Sequence, residues 1–237
     1  MIRLSGLRKR FGQLDVLQGV DATFSTGRVT ALVGPNAAGK TTLIKTILGL
    51  TRPDSGSISV NGGVVNGDVS YRRRIGYMPQ IARFPGNLTA AELLSMLEKL
   101  RPDTPDPDRS LIETFSLEPE LGKQLRNLSG GTKQKLNAVA AFLFYPDVLI
   151  LDEPTAGLDP RASTALKDRI LADRNLGRTF IITSHVMAEL EEVADDVIFL
   201  SDGQVRFSGS LGDLKRTTRQ INLERAIAEL MIRGKAA

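Results

Sequence analysis

The chain has 237 residues, 41% apolar and 24% charged, and its 31 Lys and Arg against 27 Asp and Glu give a formal net charge of +4. Such a composition suits a globular protein able to bury a large core as one domain. Cysteine is absent from the sequence, which excludes disulfides, thiolate zinc sites and iron–sulfur clusters.

The N-terminal Met1-Ile-Arg-Leu-Ser-Gly6 lacks the apolar core of a signal peptide. The most apolar region, Ala138 to Leu151, is interrupted by Tyr145-Pro146-Asp147 and is too short to span a bilayer. A cytosolic location is therefore expected, with any membrane role supplied by a partner. The basic clusters Arg8-Lys9-Arg10 and Arg72-Arg73-Arg74 lack interleaved aromatics and read as solvated faces, so no nucleic-acid partner is expected.

Residues 1–30 carry short alternating apolar runs with turns expected at Gly6, Gly12 and Gly27, the pattern of antiparallel strands. Val29 to Val33 then reads as a buried strand. Gly34-Pro35-Asn36-Ala37-Ala38-Gly39-Lys40-Thr41 follows and fits G-x-x-x-x-G-K-[ST], with a helical pattern from Leu43 to Leu48 behind it. Strand, loop and helix in that order form the setting in which glycines let backbone N–H groups wrap a polyphosphate. The helix N-terminus adds partial positive charge. Lys40 would reach the β- and γ-phosphates, the Thr41 hydroxyl would ligate Mg²⁺, and Thr42 would donate to an α-phosphate oxygen. The plain alternative, a chance glycine-rich strand–helix turn, has the flanking elements against it.

Further on, Arg52 to Gly56 is a turn, Ser57–Val60 a strand, Asn61-Gly62-Gly63 a hairpin turn and Ile75–Met78 a strand ended by Pro79. Thr89-Ala-Ala-Glu92 has capping-box spacing before an apolar helix, and the prolines of 101–108 impose a loop. A short helix is expected over Leu111–Phe115 and a longer one from Ser129 through Leu143. Val148–Leu151, Thr179–Thr183 and Val197–Leu200 read as strands, with helices at about 161–174 and 186–194. Asp202-Gly203 turns into a strand at Val205–Phe207, and a tail helix is expected around 222–232. Alternating β and α elements imply an α/β fold with a mostly parallel, helix-covered sheet.

Two further stretches carry chemistry. Leu149-Ile-Leu-Asp152-Glu153 sets adjacent carboxylates at a strand's C-terminal end, where ligands of parallel sheets sit. Asp152 fits a Mg²⁺ ligand, and Glu153 could take a proton from a water attacking the γ-phosphate. An acidic loop is the bland alternative. Leu128-Ser129-Gly130-Gly131-Thr132-Lys133-Gln134-Lys135 places a serine cap and two glycines at a helix start, which is either a compact anion site or an ordinary capped turn.

Taken together, the sequence resembles the ATP-binding subunit of an ABC transporter, over residues 1 to about 215. Phosphate loop, Gln80 after Tyr77-Met-Pro, Leu-Ser-Gly-Gly signature, Asp152-Glu153, Gly157-Leu-Asp159 and the lone His185 occur once each and in order. The resemblance implies a P-loop NTPase (RecA-like) core with an antiparallel β lobe and an α-helical lobe. It also implies hydrolysis of ATP to ADP and phosphate, and a head-to-tail, ATP-dependent dimer. Each ATP would lie between one subunit's Gly34–Thr42 loop and the other's Ser129, Gly130 and Gly131. Phe11 matches the aromatic that stacks on adenine, with Val16 nearby; the alternative for Phe11 is an edge-strand core residue. Gln80 would contact Mg²⁺ and the attacking water, His185 the γ-phosphate, and Asp159 would link the two sites. Thr132 departs from the family, which has Gln there.

The expected division is one ABC ATPase domain over 1–237: an antiparallel lobe with the P-loop (1–78), a helical lobe with the signature (79–135), the remaining core (136–210) and a helical tail (211–237). Arg74 to Gln80 and the tail look like the export-type subfamily. Ile81 to Leu88, Leu128 to Thr132 and Asn222 to Arg225 look similar to the ATPase that serves maturation of the nitrous oxide reductase copper site. That resemblance implies an integral membrane permease, a periplasmic partner and a peripheral position on the inner face of the membrane. One histidine and no cysteine give the chain no copper ligand set of its own. A soluble ABC ATPase of DNA repair or translation is the rival, but the coiled-coil insertion, zinc cysteines or second cassette of such proteins do not occur in the sequence.

Overall fold

The computed structural model describes residues 1–65, 67–103 and 106–235. Thr104 and Pro105 of the proline-rich loop, and Ala236 and Ala237 of the tail, lie outside the described residues. The chain forms two compact units, Met1–Arg72 with Thr179–Ala237, and Arg73–Arg178.

In the first unit β1 (Ile2–Phe11) and β2 (Leu14–Phe24) pair antiparallel. β3 (Val29–Val33) and α1 (Lys40–Ile47) follow. β4 (Ser55–Val60) and β5 (Gly63–Val64) then complete an antiparallel sheet ordered β2-β1-β4-β5. Gly6 does not turn the chain. It has φ +57° and sits at a register shift between Leu4 and Leu7, so an extra residue bulges from a strand that continues to Phe11. All of β3 is buried, and it runs parallel to both β8 (Thr179–Thr183) and β9 (Asp196–Ser201). β10 (Gln204–Ser210) returns antiparallel on β9 through the Asp202-Gly203 turn.

The tail differs from the expectation, being two helices, α7 (Leu211–Thr218) and α8 (Leu223–Lys235). Ser210 starts the first by accepting from the Asp213 amide, and Arg219 at φ +57° ends it. Glu191, on α6 (Met187–Val193), accepts from the Leu223 amide at 2.8 Å and from Lys215 at 2.5 Å. Leu223, Ala226 and Ile227 are buried on the inner face of α8.

In the second unit β6 (Ile75–Met78) runs parallel to β7 (Val148–Asp152). The helices are α2 (Ala90–Lys99), α3 (Ser110–Thr114), α4 (Gly130–Phe142) and α5 (Pro160–Asn175). Both halves of the capping box form at Thr89 and Glu92. Leu93, Leu111, Leu136, Phe142, Leu166 and Ile170 are buried. Beside them two buried carboxylates, Asp108 and Asp173, are both paired with the half-buried Arg169. A buried charge of this kind is tolerated only with such partners. No helix among the described residues is long and apolar enough to cross a membrane.

Candidate functional site

The phosphate-loop sequence folds as a tight cradle between β3 and α1. Ala37 and Gly39 have positive φ, 64° and 103°, which curls the backbone around the loop's interior. The loop is also pressed from outside. A Cβ on Gly34 would meet the Leu200 carbonyl oxygen at 2.0 Å, and one on Gly39 the Val16 carbonyl oxygen at 2.8 Å. Gly203 in the β9–β10 turn donates its amide to Ala38 and accepts from Gln18, so β2, the loop and that turn are knit together. Lys40 donates to the carbonyls of Gly34 at 2.6 Å and Pro35 at 3.1 Å, which holds its ammonium over the loop. The first turn of α1 contains no acidic residue and Gly39 supplies no side-chain cap. Its leading N–H groups and dipole therefore favour an anion.

Val16 thus abuts the loop through its backbone. Two residues earlier Leu14 pairs with Phe11, about 7 Å along the strand. Phe11 is 50% exposed, with the Lys9 ammonium 5.2 Å from its ring centre. His185 emerges from β8. The β3–β8 register pairs Val29 with Phe180 and, carried on by the same step, sets His185 level with Gly34. In this unit the loop, Val16, Phe11 and His185 accordingly share one end of the strands.

The remaining residues belong to the second unit and are joined there. Pro79 and Gln80 continue β6, whose register against β7 sets them level with Asp152 and Glu153. Asp152 ends β7 half-buried, and burial together with the nearby Asp152 charge raises the Tyr77 hydroxyl above its ordinary range. Glu153 is 8% exposed with φ +54°, a backbone region that costs a non-glycine residue free energy. Ser129 caps α4 by accepting from the Thr132 amide at 3.1 Å, and its Oγ lies 2.8 Å from the Thr132 hydroxyl. Thr132, the departure from the family pattern, is therefore a hydrogen-bond partner of the signature serine.

Gly131 packs on the carbonyl of Gly157, where a Cβ would come within 2.9 Å. Asp159 caps α5 through the Ala162 amide and pairs with Lys135 at 2.7 Å. That ammonium holds the Asp159 carboxyl below the usual carboxylate range. Gln134 and Lys135 lie in the signature stretch without a role legible from sequence, and nothing in the sequence singles out Asn137. The buried amides of Gln134 and Asn137 bond to the backbone of Glu153 and of Pro79. Two polar residues three apart on an otherwise apolar helix face were the only available signal.

With this geometry in view, comparison with known proteins is decisive. The ABC transporter family's sequence model matches residues 17–156. The chain belongs to the ABC transporter family. It is an ATP-binding cassette, an ATPase of the α/β P-loop fold. It is 36% identical over 208 residues to the Nod factor export ATP-binding protein I of Burkholderia lata, covering 86% of this chain and 68% of that protein. It is 34% identical over 222 residues to a daunorubicin resistance ATP-binding protein of Streptomyces coeruleorubidus, covering 92% and 70%. A third relative, the Nod factor export ATP-binding protein I of Ralstonia nicotianae, is 32% identical with 86% and 65% covered. The chain thus spans about two thirds of the length of these curated relatives. Among solved structures, an ATP-binding subunit of an ABC transporter superposes with a TM-score of 0.91 at 32% identity, over 98% of this chain and 99% of that one.

Proposed function

We propose that the whole chain, 1–237, acts as one ABC ATPase domain that hydrolyses ATP to power a separate, export-type membrane permease. What carries this is that one chain has both a preorganised phosphate cradle at 34–42 in its first unit and a carboxylate, Glu153, at the end of a buried strand in its second. In this reading the loop amides and Lys40 bind the β- and γ-phosphates, and Phe11 with Val16 receives the adenine. The donors expected to hold Mg²⁺ are Thr41, Gln80 and Asp152, all oxygen ligands as that hard cation requires. When bound, Mg²⁺ neutralises phosphate charge. Glu153 accepts a proton from the attacking water as its oxygen bonds to the γ-phosphorus and the bond to ADP breaks. Gln80 orients that water, and His185 donates to the γ-phosphate. Ser129, Gly130, Gly131 and Asp159 serve the partner copy's nucleotide across a head-to-tail dimer.

The permease contact is assigned to the groove of the second unit beside Gln80, a cavity of about 500 Å³ lined by Tyr77, Phe84, Leu97, Leu100 and Phe144 among others. Ile81, between the lining residues Pro79 and Ala82 in sequence, is exposed. Such a position makes the subunit peripheral on the inner face of the membrane. The relatives are named for export of Nod factor and for daunorubicin resistance. The finer reading, service of the nitrous oxide reductase copper site with a periplasmic partner, rests on Ile81–Leu88 and Asn222–Arg225 alone. In that reading the copper is carried by the partner proteins, since one histidine and no cysteine give this chain no soft ligand set. The genes beside this one discriminate the cargo readings: a multi-span permease next to a copper-site maturation protein supports the finer one, a drug or glycolipid operon opposes it.

The test of the activity is Glu153→Gln. The amide cannot accept the proton, so ATP binding should persist while turnover falls by roughly a thousand-fold or more. Near wild-type turnover in that variant would remove Glu153 from the mechanism.

A further inference from the structure

Two buried amides on α4 join elements that the ATPase reading treats separately. Gln134 is 7% exposed and Asn137 2%, and they lie one turn apart on the same face of the helix that begins at Ser129. Gln134 Nε2 donates to the carbonyl of Glu153 at 3.1 Å and to that of Pro154 at 3.4 Å. Asn137 Nδ2 donates to the carbonyl of Pro79 at 2.8 Å and to Gln134 Oε1 at 3.4 Å. Three of these bonds run from Asn137 through Gln134 to the backbone beside the carboxylate, and the fourth branches from the same Asn137 amide group to Pro79, so the two amides polarise each other along one chain.

Polar side chains are excluded from such a helix face unless they gain something there. What these two hold is specific. Glu153 has φ +54°, a conformation that survives in a non-glycine residue only where its surroundings over-determine it. Its carbonyl accepts from the Ala156 amide at 3.2 Å and from Gln134, which together fix the peptide plane that follows it. Rotating that plane would swing the carboxylate. Pro79, at the other end, immediately precedes Gln80, and both Pro79 and Asn137 line the groove that contains Phe84.

We propose that Gln134 and Asn137 are positioning residues for hydrolysis: a buried two-amide relay that ties the groove floor at Pro79 to the backbone of Glu153. A shift of the 79–85 loop, such as a partner entering the groove would cause, is passed to the backbone of Glu153 through two side chains joined by direct hydrogen bonds. The proposal rests on Glu153 being the proton acceptor.

Steady-state ATP hydrolysis by the purified full chain tests it, with Gln134→Leu, Asn137→Leu, the double variant and Glu153→Gln. Misplacing a reacting group by about 1 Å costs on the order of a hundred-fold, so each single variant should lose roughly ten- to hundred-fold in kcat with KM within about two-fold. Residues acting as one unit are non-additive, so the double variant should be no slower than the worse single one. Unchanged kcat in folded single variants overturns the proposal, as does a double variant whose loss is the product of the two. A parallel rise in KM overturns it too, since general damage would weaken nucleotide binding. If Asn137→Leu does not melt cooperatively, Asn137→Ala is measured against the same criteria, and Gln134→Leu alone still decides on kcat against KM. Wild-type turnover by Glu153→Gln, by contrast, would refute the proton-acceptor assignment and leave a loss in the relay variants unexplained by it.

Discussion

At the scale of single residues, exposure separates alternatives that the sequence left open. Phe11 could also have filled the core of an edge strand, yet half of it is exposed, with the Lys9 ammonium 5.2 Å from its ring centre. A ring so placed contributes little to stability and is available for stacking. Base–aromatic stacking is worth about 1–3 kcal/mol, so Phe11→Ala should raise the ATP KM by roughly 5- to 150-fold while the melting temperature barely moves. An unchanged KM, or a melting temperature lowered as for a core truncation, would return Phe11 to a structural role. The phosphate loop was legible because its constraint is local: only glycine tolerates the carbonyls of Leu200 and Val16 against Gly34 and Gly39. The backbone groups that impose that constraint come from distant strands and leave no trace in the motif. For the same reason no role for Gln134, Lys135 and Asn137 is legible in the sequence, since their partners Glu153, Asp159 and Pro79 are distant along the chain.

At the scale of elements, strands and helices with strong patterns formed where expected; β4 starts two residues early, at Ser55 inside the expected turn, and two larger departures have identifiable causes. Gly6 ends nothing because the β1 ladder resumes beyond its bulge. The tail is split because Arg219 adopts the left-handed conformation, a choice that periodicity does not report. What fixes the tail is one carboxylate. Burial opposes ionisation of Glu191, but the Leu223 amide and the Lys215 ammonium outweigh it and hold its pKa below the ordinary value. A depressed carboxylate pKa means stability that is present above the unfolded value and lost as pH falls through the folded one. Hydrogen bonds to charged groups contribute about 1.5–3 kcal/mol, less where water reaches them, so Glu191→Ala should cost about 1–2 kcal/mol at neutral pH. Below the ordinary carboxylate range the deficit should shrink towards zero. Thermal unfolding of both proteins across pH measures this, and a deficit independent of pH would show that the ionised form does not fasten the tail.

At the scale of the whole molecule, the site residues fall into two groups, one in each compact unit, and neither group is a complete catalyst. The first has the phosphate cradle, Phe11 and His185; the second has Gln80, the signature, Asp152, Glu153 and Asp159. The second group also has donors without a phosphate of their own. Ser129 Oγ accepts from the Thr132 amide, and if it accepts from the Thr132 hydroxyl as well, its own proton is directed outward, where an anion would receive it. In the dimer proposed above that anion is the γ-phosphate held by the other copy, so association should need nucleotide. Without it the two faces would bring donors and basic groups together with nothing to satisfy them, and each uncompensated group costs about 1–3 kcal/mol. Glu153→Gln, which should bind ATP without consuming it, is the form in which to look. It should be monomeric alone and with ADP, and dimeric with ATP and Mg²⁺, by light scattering. Thr132→Val, which keeps the shape but loses the hydroxyl, should weaken that ATP-driven dimer when combined with Glu153→Gln, while leaving ATP binding by the monomer intact. The same mass in every condition would refute the shared-site arrangement, and a dimer indifferent to Thr132 would confine that hydroxyl to capping its own helix.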